Sequence, residues 1–174
     1  MLKKFYPNVY MDSTYQIDFK HLYEKGFRGV IFDIDNTLVP HGAPADKRAK
    51  ALFQKLHSMG WKTCLISNNK EARVKPFAEA VKSSYVYKAN KPSVKNYYYA
   101  MELMDTDKQT TIFVGDQLFT DVYGANRTGI PTILVKPIHP KEEIQIVLKR
   151  FLEKIVLIFY KKNKKILEKQ SNLL

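Results

Sequence analysis

The stretch Gly29-Val30-Ile31-Phe32-Asp33-Ile34-Asp35-Asn36-Thr37 decides how the chain is read. Its first half is apolar and partly β-branched, the composition of a buried strand, and it ends in acids, an amide and a hydroxyl. In an open α/β sheet, ligands bind outside the carboxyl ends of the strands, so this run places chemistry where a site is expected. Asp33 and Asp35 are separated by one residue. While extended geometry persists, that spacing can turn both carboxylates toward one opening.

Working outward, similar short runs occur at 61–66, 85–87, 110–114 and 131–135, which with 29–33 read as five strands. Stretches with helical spacing lie between them at 45–59, 70–81, 92–104 and 119–128. Strands alternating with helices predict an α/β fold of three layers, with a mainly parallel five-stranded sheet wrapped on both faces. Asn68 with Glu71 resembles a capping box, Pro92 suits a first helical position, and Gly60 and Gly129 suit helix ends. Pro76 either kinks the 70–81 helix or shortens it.

The other strand ends are Ser67-Asn68-Asn69, Lys88 to Lys91, and Gly115-Asp116-Gln117, so hydroxyl, amide, lysine and acid gather at one edge. The last strand ends at Val135-Lys136-Pro137 and is assigned structure alone. Two acids can divide labour at a phosphate ester. One carboxylate acts as nucleophile, and the other protonates the leaving oxygen and then activates water. Phosphate meeting carboxylate needs a cation, and Asp116 supplies a third acid for a hard ion such as Mg²⁺. Ser67 offers a hydroxyl, the backbone around Asn68 offers N–H groups, and Lys91 offers countercharge to a phosphoryl oxygen.

The ordered set Asp33-x-Asp35-x-Thr37, Ser67, Lys91 and Gly115-Asp116 followed by Asp121 resembles the four motifs of the haloacid dehalogenase-like phosphatases. The resemblance implies a Rossmann-like fold, Asp33 as nucleophile and Asp35 as general acid/base. It also implies that Thr37 supports the active-site loop at the phosphate site, that Ser67 and Lys91 bind the phosphoryl group, and that Asp121 acts from behind the ligands. Mg²⁺ would be held by the Asp33 and Asp116 carboxylates and the Asp35 main-chain carbonyl. Only about 30 residues separate Thr37 from Ser67, and Ser67 to Lys91 is similarly short, so neither interval has room for a separate cap domain. A relatively open site suited to a bulky phosphate ester is expected. More narrowly, Asp33-Ile34-Asp35-Asn36-Thr37-Leu38-Val39, Ser67-Asn68-Asn69, Lys88-Ala89-Asn90-Lys91-Pro92 and Val114-Gly115-Asp116-Gln117-Leu118-Phe119-Thr120-Asp121 resemble the YqeG subfamily of the capless class IIIA branch. Related eukaryotic enzymes dephosphorylate phosphatidylglycerophosphate.

The 174 residues and 20.3 kDa suit one domain with a short appendage, here residues 1–140 and 141–174. With 45% hydrophobic and 26% charged residues, wholesale disorder and collagen-like repeats are excluded. A single cysteine, Cys64, excludes an intrachain disulfide and reads as a buried, inert thiol. His21, His41, His57 and His139 lack ligand spacing and receive no metal or catalytic role. The first ten residues hold two lysines, and Pro7 and Asn8 break them before any signal-like apolar run, so a cytoplasmic location is expected.

The net charge is +12, and residues 141–174 carry 9 basic and 4 acidic residues against 20 and 13 before them. Ile144, Val147, Leu148, Phe151, Ile155 and Ile158 or Phe159 follow helical spacing, with Lys161, Lys162, Lys164 and Lys165 next. This pattern fits a basic amphipathic helix that either lies on anionic phospholipid, as a peripheral element at the inner face of the membrane, or packs on protein. Lysines near such a surface contribute about 1 kcal/mol each. The longest unbroken apolar run is far too short to span a bilayer.

A phosphate-ester substrate is therefore expected, with phosphatidylglycerophosphate as the leading identity. The charge also permits action on nucleic-acid ends, a phosphoprotein or a small phosphometabolite. A non-catalytic RNA- or ribosome-associated module is a reading of another class, but no RNA-binding signature accompanies the charge, and nucleic acid is disfavoured as a partner. Oligomeric state is left open.

Overall fold

The computed structural model describes residues 2–139 and 144–167, with side chains along the final helix described at 150–161 and 163. The strands are β1 (Val9–Met11), β2 (Gly29–Phe32), β3 (Lys62–Ile66), β4 (Ser84–Val86), β5 (Thr111–Gly115) and β6 (Thr132–Val135). The helices are α1 (Phe19–Glu24), α2 (Lys47–Ser58), α3 (Glu71–Val81), α4 (Lys95–Met104), α5 (Tyr123–Thr128) and α6 (Ile144–Leu167). One π-helical turn, Leu118–Val122, leads into α5.

All pairings are parallel, in the order β1-β6-β5-β2-β3-β4. Among the described residues the sheet therefore has six strands, where five were expected. The missed strand, β1, is three residues long and only half-buried, too short for periodicity to reveal. It is pinned to β6 through Asn8, whose Oδ1 accepts from the Thr132 N–H at 2.9 Å. From β2 the chain winds outward through β3 and β4, then returns to place β5 on the other side of β2. The order of winding thus reverses between β2 and β5, and ligands of such sheets bind beyond the carboxyl ends of strands at this point.

Side-chain alternation divides the core into two layers. Val30 and Phe32 of β2 and Ile112 and Val114 of β5 join Phe53 and Leu56 of α2 and Phe77 and Val81 of α3 on one face. Ile31 and Phe113, one residue out of phase, meet Tyr97, Ala100 and Met101 of α4 and Ala125 of α5 on the other. Central strands buried on both faces read as continuous apolar runs, which is why these two stood out in the sequence. Cys64 lies fully buried in the second layer, and burial pushes its thiol up to about 12.

Helix starts differ in detail from the expected ones. Asp46 caps α2 by accepting from the Ala49 N–H at 2.7 Å. The capping box expected at Asn68 does not form: Lys70 is the residue before α3, and the Asn68 side chain is engaged elsewhere. The helix runs through Pro76, held by Val74, Phe77 and Ala78 against the core. Pro92 lies in a turn three residues before α4.

A third cluster attaches α6. Val156 packs with Leu118, Val122 and Leu134, and Tyr160 is edge-on to Tyr6. The helix face turned to the domain is therefore Glu153, Val156 and Tyr160. The stripe expected from spacing faces outward, with Phe151 63%, Ile158 55% and Phe159 46% exposed. Ile144, Val147 and Leu148 lie outside the described side chains. Among the described residues no helix is long and apolar enough to cross a membrane.

Candidate active site

Each strand end delivers its residue to the carboxyl edge of the sheet by a different local device. After β2, Asn36 adopts a left-handed backbone (φ 63°), a conformation asparagine tolerates, and its N–H bonds back to the Val39 carbonyl at 2.7 Å. The resulting loop is clamped from outside, since Thr14 Oγ1 donates to the Thr37 carbonyl at 2.8 Å and the Tyr15 hydroxyl to the Leu38 carbonyl at 2.6 Å. After β4, Asn68 holds the Lys91 main chain by accepting from its N–H at 2.7 Å. After β5, Asp121 Oδ2 accepts from the Asp116 and Gln117 N–H groups at 3.2 and 3.1 Å, tying the π turn to the strand end. The Tyr97 hydroxyl supports the same turn by donating to the Thr120 and Asp121 carbonyls.

Asp33, Asp116 and Asp121 each offer a carboxylate oxygen within 4.8 Å of the others, and all three residues are buried. Lys91 Nζ lies 2.5 Å from Asp33 Oδ1 and 2.6 Å from Asp121 Oδ1. Thr37 Oγ1 stands between two acids, 3.2 Å from Asp116 Oδ1 and 3.5 Å from Asp33 Oδ2, a placement that orients carboxylates. Ser67 is buried at the end of β3, where its Oγ accepts from the Asn69 N–H at 3.1 Å and keeps its own proton to donate.

Asp35 points its carboxylate to a separate set of partners: the Gly42 N–H at 2.8 Å, Asn69 Nδ2 at 2.8 Å and Arg73 Nη2 at 2.9 Å. It contributes no carboxylate to the acid cluster. Of the eight expected site residues, Asp33, Thr37, Lys91, Asp116 and Asp121 form one contact network. Asp35 and Ser67 meet at Asn69, and Asn68 faces Lys91.

Burial drives the electrostatics. It raises Asp33 to about 7, with Lys91 opposing, and raises Asp116 well above the carboxylate range, with Arg150 opposing. Burial alone would depress Lys91, but Asp121 and Asp33 outweigh it and hold the ammonium charged above its ordinary range. A buried cluster of carboxylate oxygens is the donor set a hard divalent cation prefers, so these residues fit Mg²⁺.

Sequence reasoning missed three contributors. Arg73 on α3 and Asn69 engage Asp35, and Arg150 on α6 donates to the Asp116 carboxylate. Asn69 stood in a quoted motif; the two arginines carried no local signal. Arg150 also alters the expected openness. No cap domain interrupts the two short intervals, yet α6 covers Asp116, which is only 3% exposed. A concavity of about 510 Å³ lies at the amino-terminal end of β6 among Lys3, Lys4 and Arg127, and is lined by no carboxylate.

A family model described as HAD-hydrolase-like matches residues 88–137. NagD from E. coli K-12 superposes with a TM-score of 0.52 at 14% identity over 70% of this chain and 91% of that one, a likeness of fold. The probable phosphatase YqeG of Bacillus subtilis (strain 168) is 38% identical over 159 residues, covering 90% of this chain and 92% of that protein. Phosphatidylglycerophosphate phosphatase 1, chloroplastic/mitochondrial, of Arabidopsis thaliana is 31% identical over 176 residues, covering 85% of this chain and 48% of that protein. Fold and site together define the haloacid dehalogenase-like class, and within it the chain belongs to the YqeG family of phosphatases.

Proposed function

We propose that the chain is a Mg²⁺-dependent phosphatase that converts phosphatidylglycerophosphate to phosphatidylglycerol through an aspartyl-phosphate at Asp33. The observation that carries the reading is the convergence of Asp33, Asp116 and Asp121 within 4.8 Å, beside a buried lysine, at the point where the winding of the sheet reverses. Similarity to the Arabidopsis phosphatidylglycerophosphate phosphatase supports the lipid substrate.

In this reading an Asp33 carboxylate oxygen attacks phosphorus as the ester oxygen leaves, and Asp35 gives that oxygen its proton. The Asp35 carboxylate then takes a proton from water, whose oxygen attacks the aspartyl-phosphate and frees Asp33 and inorganic phosphate. Lys91 and Ser67 bind the phosphoryl oxygens, while Thr37 and Asp121 fix the orientation of the acids and the loop behind them. Mg²⁺, held by Asp33, Asp116 and the Asp35 main-chain carbonyl, would supply the positive charge that lets a carboxylate approach a phosphate.

Residues 1–140 carry this chemistry, and residues 141–174 supply contact with the cytoplasmic face of the membrane. The outward apolar face of α6, with Phe151, Ile155 and Ile158, supports that contact, since a charged lipid surface attracts the surrounding lysines. Purified chain should release phosphate from phosphatidylglycerophosphate in mixed micelles with Mg²⁺, and Asp33→Asn should release none. Turnover restricted to small phosphoesters would remove the lipid substrate from the proposal.

A further inference from the structure

Arg150 belongs to no sequence motif and is separated from Asp116 by 34 positions, yet it contacts Asp116 twice. One nitrogen donates to the Asp116 main-chain carbonyl at 2.6 Å, and another to carboxylate oxygen Oδ2. The same guanidinium is 3.0 Å from Glu153 Oε2, and Glu153 Oε1 accepts from the Leu118 N–H at 2.7 Å. Through these two side chains α6 grips the segment that follows β5. A cavity of about 130 Å³ lies against the same contact, lined by Asp116, Arg150, Glu153, Tyr10, Leu134 and Leu157.

Both carboxylate oxygens of Asp116 are engaged, Oδ1 with the Thr37 hydroxyl and Oδ2 with Arg150. The Asp116 side chain is fully buried and that of Arg150 is 16% exposed, so water screens this pair poorly. A divalent ion bound by Asp116 must take one of these oxygens. The Thr37 hydroxyl is neutral and can stay beside an ion. A guanidinium on the same buried carboxylate repels the ion, and in a site this buried water weakens that repulsion little.

We propose that Arg150 and the divalent cation exchange at Asp116, which makes Arg150 the positioning residue through which α6 sets the metal affinity of the site. The inference rests on the metal-dependent reading above. Coupling is reciprocal: by whatever factor docked Arg150 weakens metal binding, bound metal weakens the docking of α6.

Two measurements on the full chain without substrate test this. Calorimetric titration with Mg²⁺ should show Arg150→Gln binding about tenfold or more tightly than the natural chain, a coupling of ordinary allosteric size, with Arg150→Lys restoring weaker binding. Amide hydrogen exchange on the natural chain should show residues 150–160 exchanging faster at saturating Mg²⁺, which decides the matter even if Arg150→Gln folds poorly. Equal or weaker Mg²⁺ binding by folded Arg150→Gln, or unchanged protection of α6 on adding Mg²⁺, overturns the exchange and leaves the metal site standing. Absence of Mg²⁺ binding in the natural chain and in folded Arg150→Gln alike removes the metal site and the exchange together.

Discussion

Lys91 and Asp33, 58 residues apart in the chain, form a buried ion pair of 2.5 Å, and the same ammonium reaches Asp121 at 2.6 Å. One cation thus serves the acid expected to attack phosphorus and the acid that holds the β5 loop. Four acids of the site, Asp33, Asp35, Asp116 and Asp121, are matched by Lys91, Arg73 and Arg150.

Replacing Lys91 by methionine keeps the apolar stem and deletes the charge. Two buried carboxylates then lose their cation, a loss of roughly 3–5 kcal/mol for a broken buried pair. On the proposed mechanism phosphoryl binding loses a cation as well, so kcat should fall by about 10²–10³. Urea unfolding and steady-state kinetics on the same preparation check both, and an active variant of natural stability would contradict the arrangement.

The raised Asp33 carboxyl predicts a pH dependence with a definite sign. Its ordinary value of 3.8 rises to about 7 in the folded chain, so folding favours the protonated form. That contribution to stability is complete below about 3.8 and is lost as pH rises to about 7. Asp33→Asn cannot ionise. In buffer without divalent ions, the unfolding free energy of Asp33→Asn relative to the natural chain should therefore increase between pH 4 and pH 7, as read by denaturant titration. A difference that is flat across this window would show that Asp33 ionises freely in the folded chain.

Gly115 marks the close approach of β5 to Asp121. A Cβ there would lie 2.6 Å from Asp121 Oδ2 and 2.7 Å from the Phe113 ring, while Asp121 is held by Lys91 and by two backbone N–H groups. Gly115→Ala should cost about 1–3 kcal/mol as overpacking and should also lower activity, because the displaced carboxylate belongs to the proposed site. Calorimetric melting with a phosphatase assay distinguishes this from a simple loss of fold: the melting point falls modestly while activity falls more.

Much of the fold was readable from local pattern. Val30, Ile31 and Phe32 are buried on both faces, so the run is apolar without interruption, and the same holds for Ile112, Phe113 and Val114. Such runs are visible in any sequence. Three half-buried residues at Val9–Met11 are not, because an edge strand needs only its neighbour's hydrogen bonds and leaves no periodic trace. The capping expectation at Asn68 failed for a tertiary reason, since its amide serves the Lys91 loop 23 residues away. The described part of the stripe on α6, from Phe151 on, lies along one helix, but helical spacing alone does not say which face the domain takes. Glu153 and Tyr160, a polar and an amphipathic residue, went inward because Leu118 and Tyr6 offered them partners.

Local pattern was enough for the parallel α/β class, for the strand ends that carry acids, lysine and hydroxyl, and for the order of those groups along the chain. These follow from local composition and from the rule that parallel strands present their carboxyl ends at one edge. That Asp121 joins Asp33 and Asp116 in the cluster while Asp35 turns to Arg73, and that Arg150 of α6 closes over Asp116, came from the folded chain alone. Ion pairs between distant segments depend on distance and burial in three dimensions, and neither quantity is written in the spacing of residues along the chain.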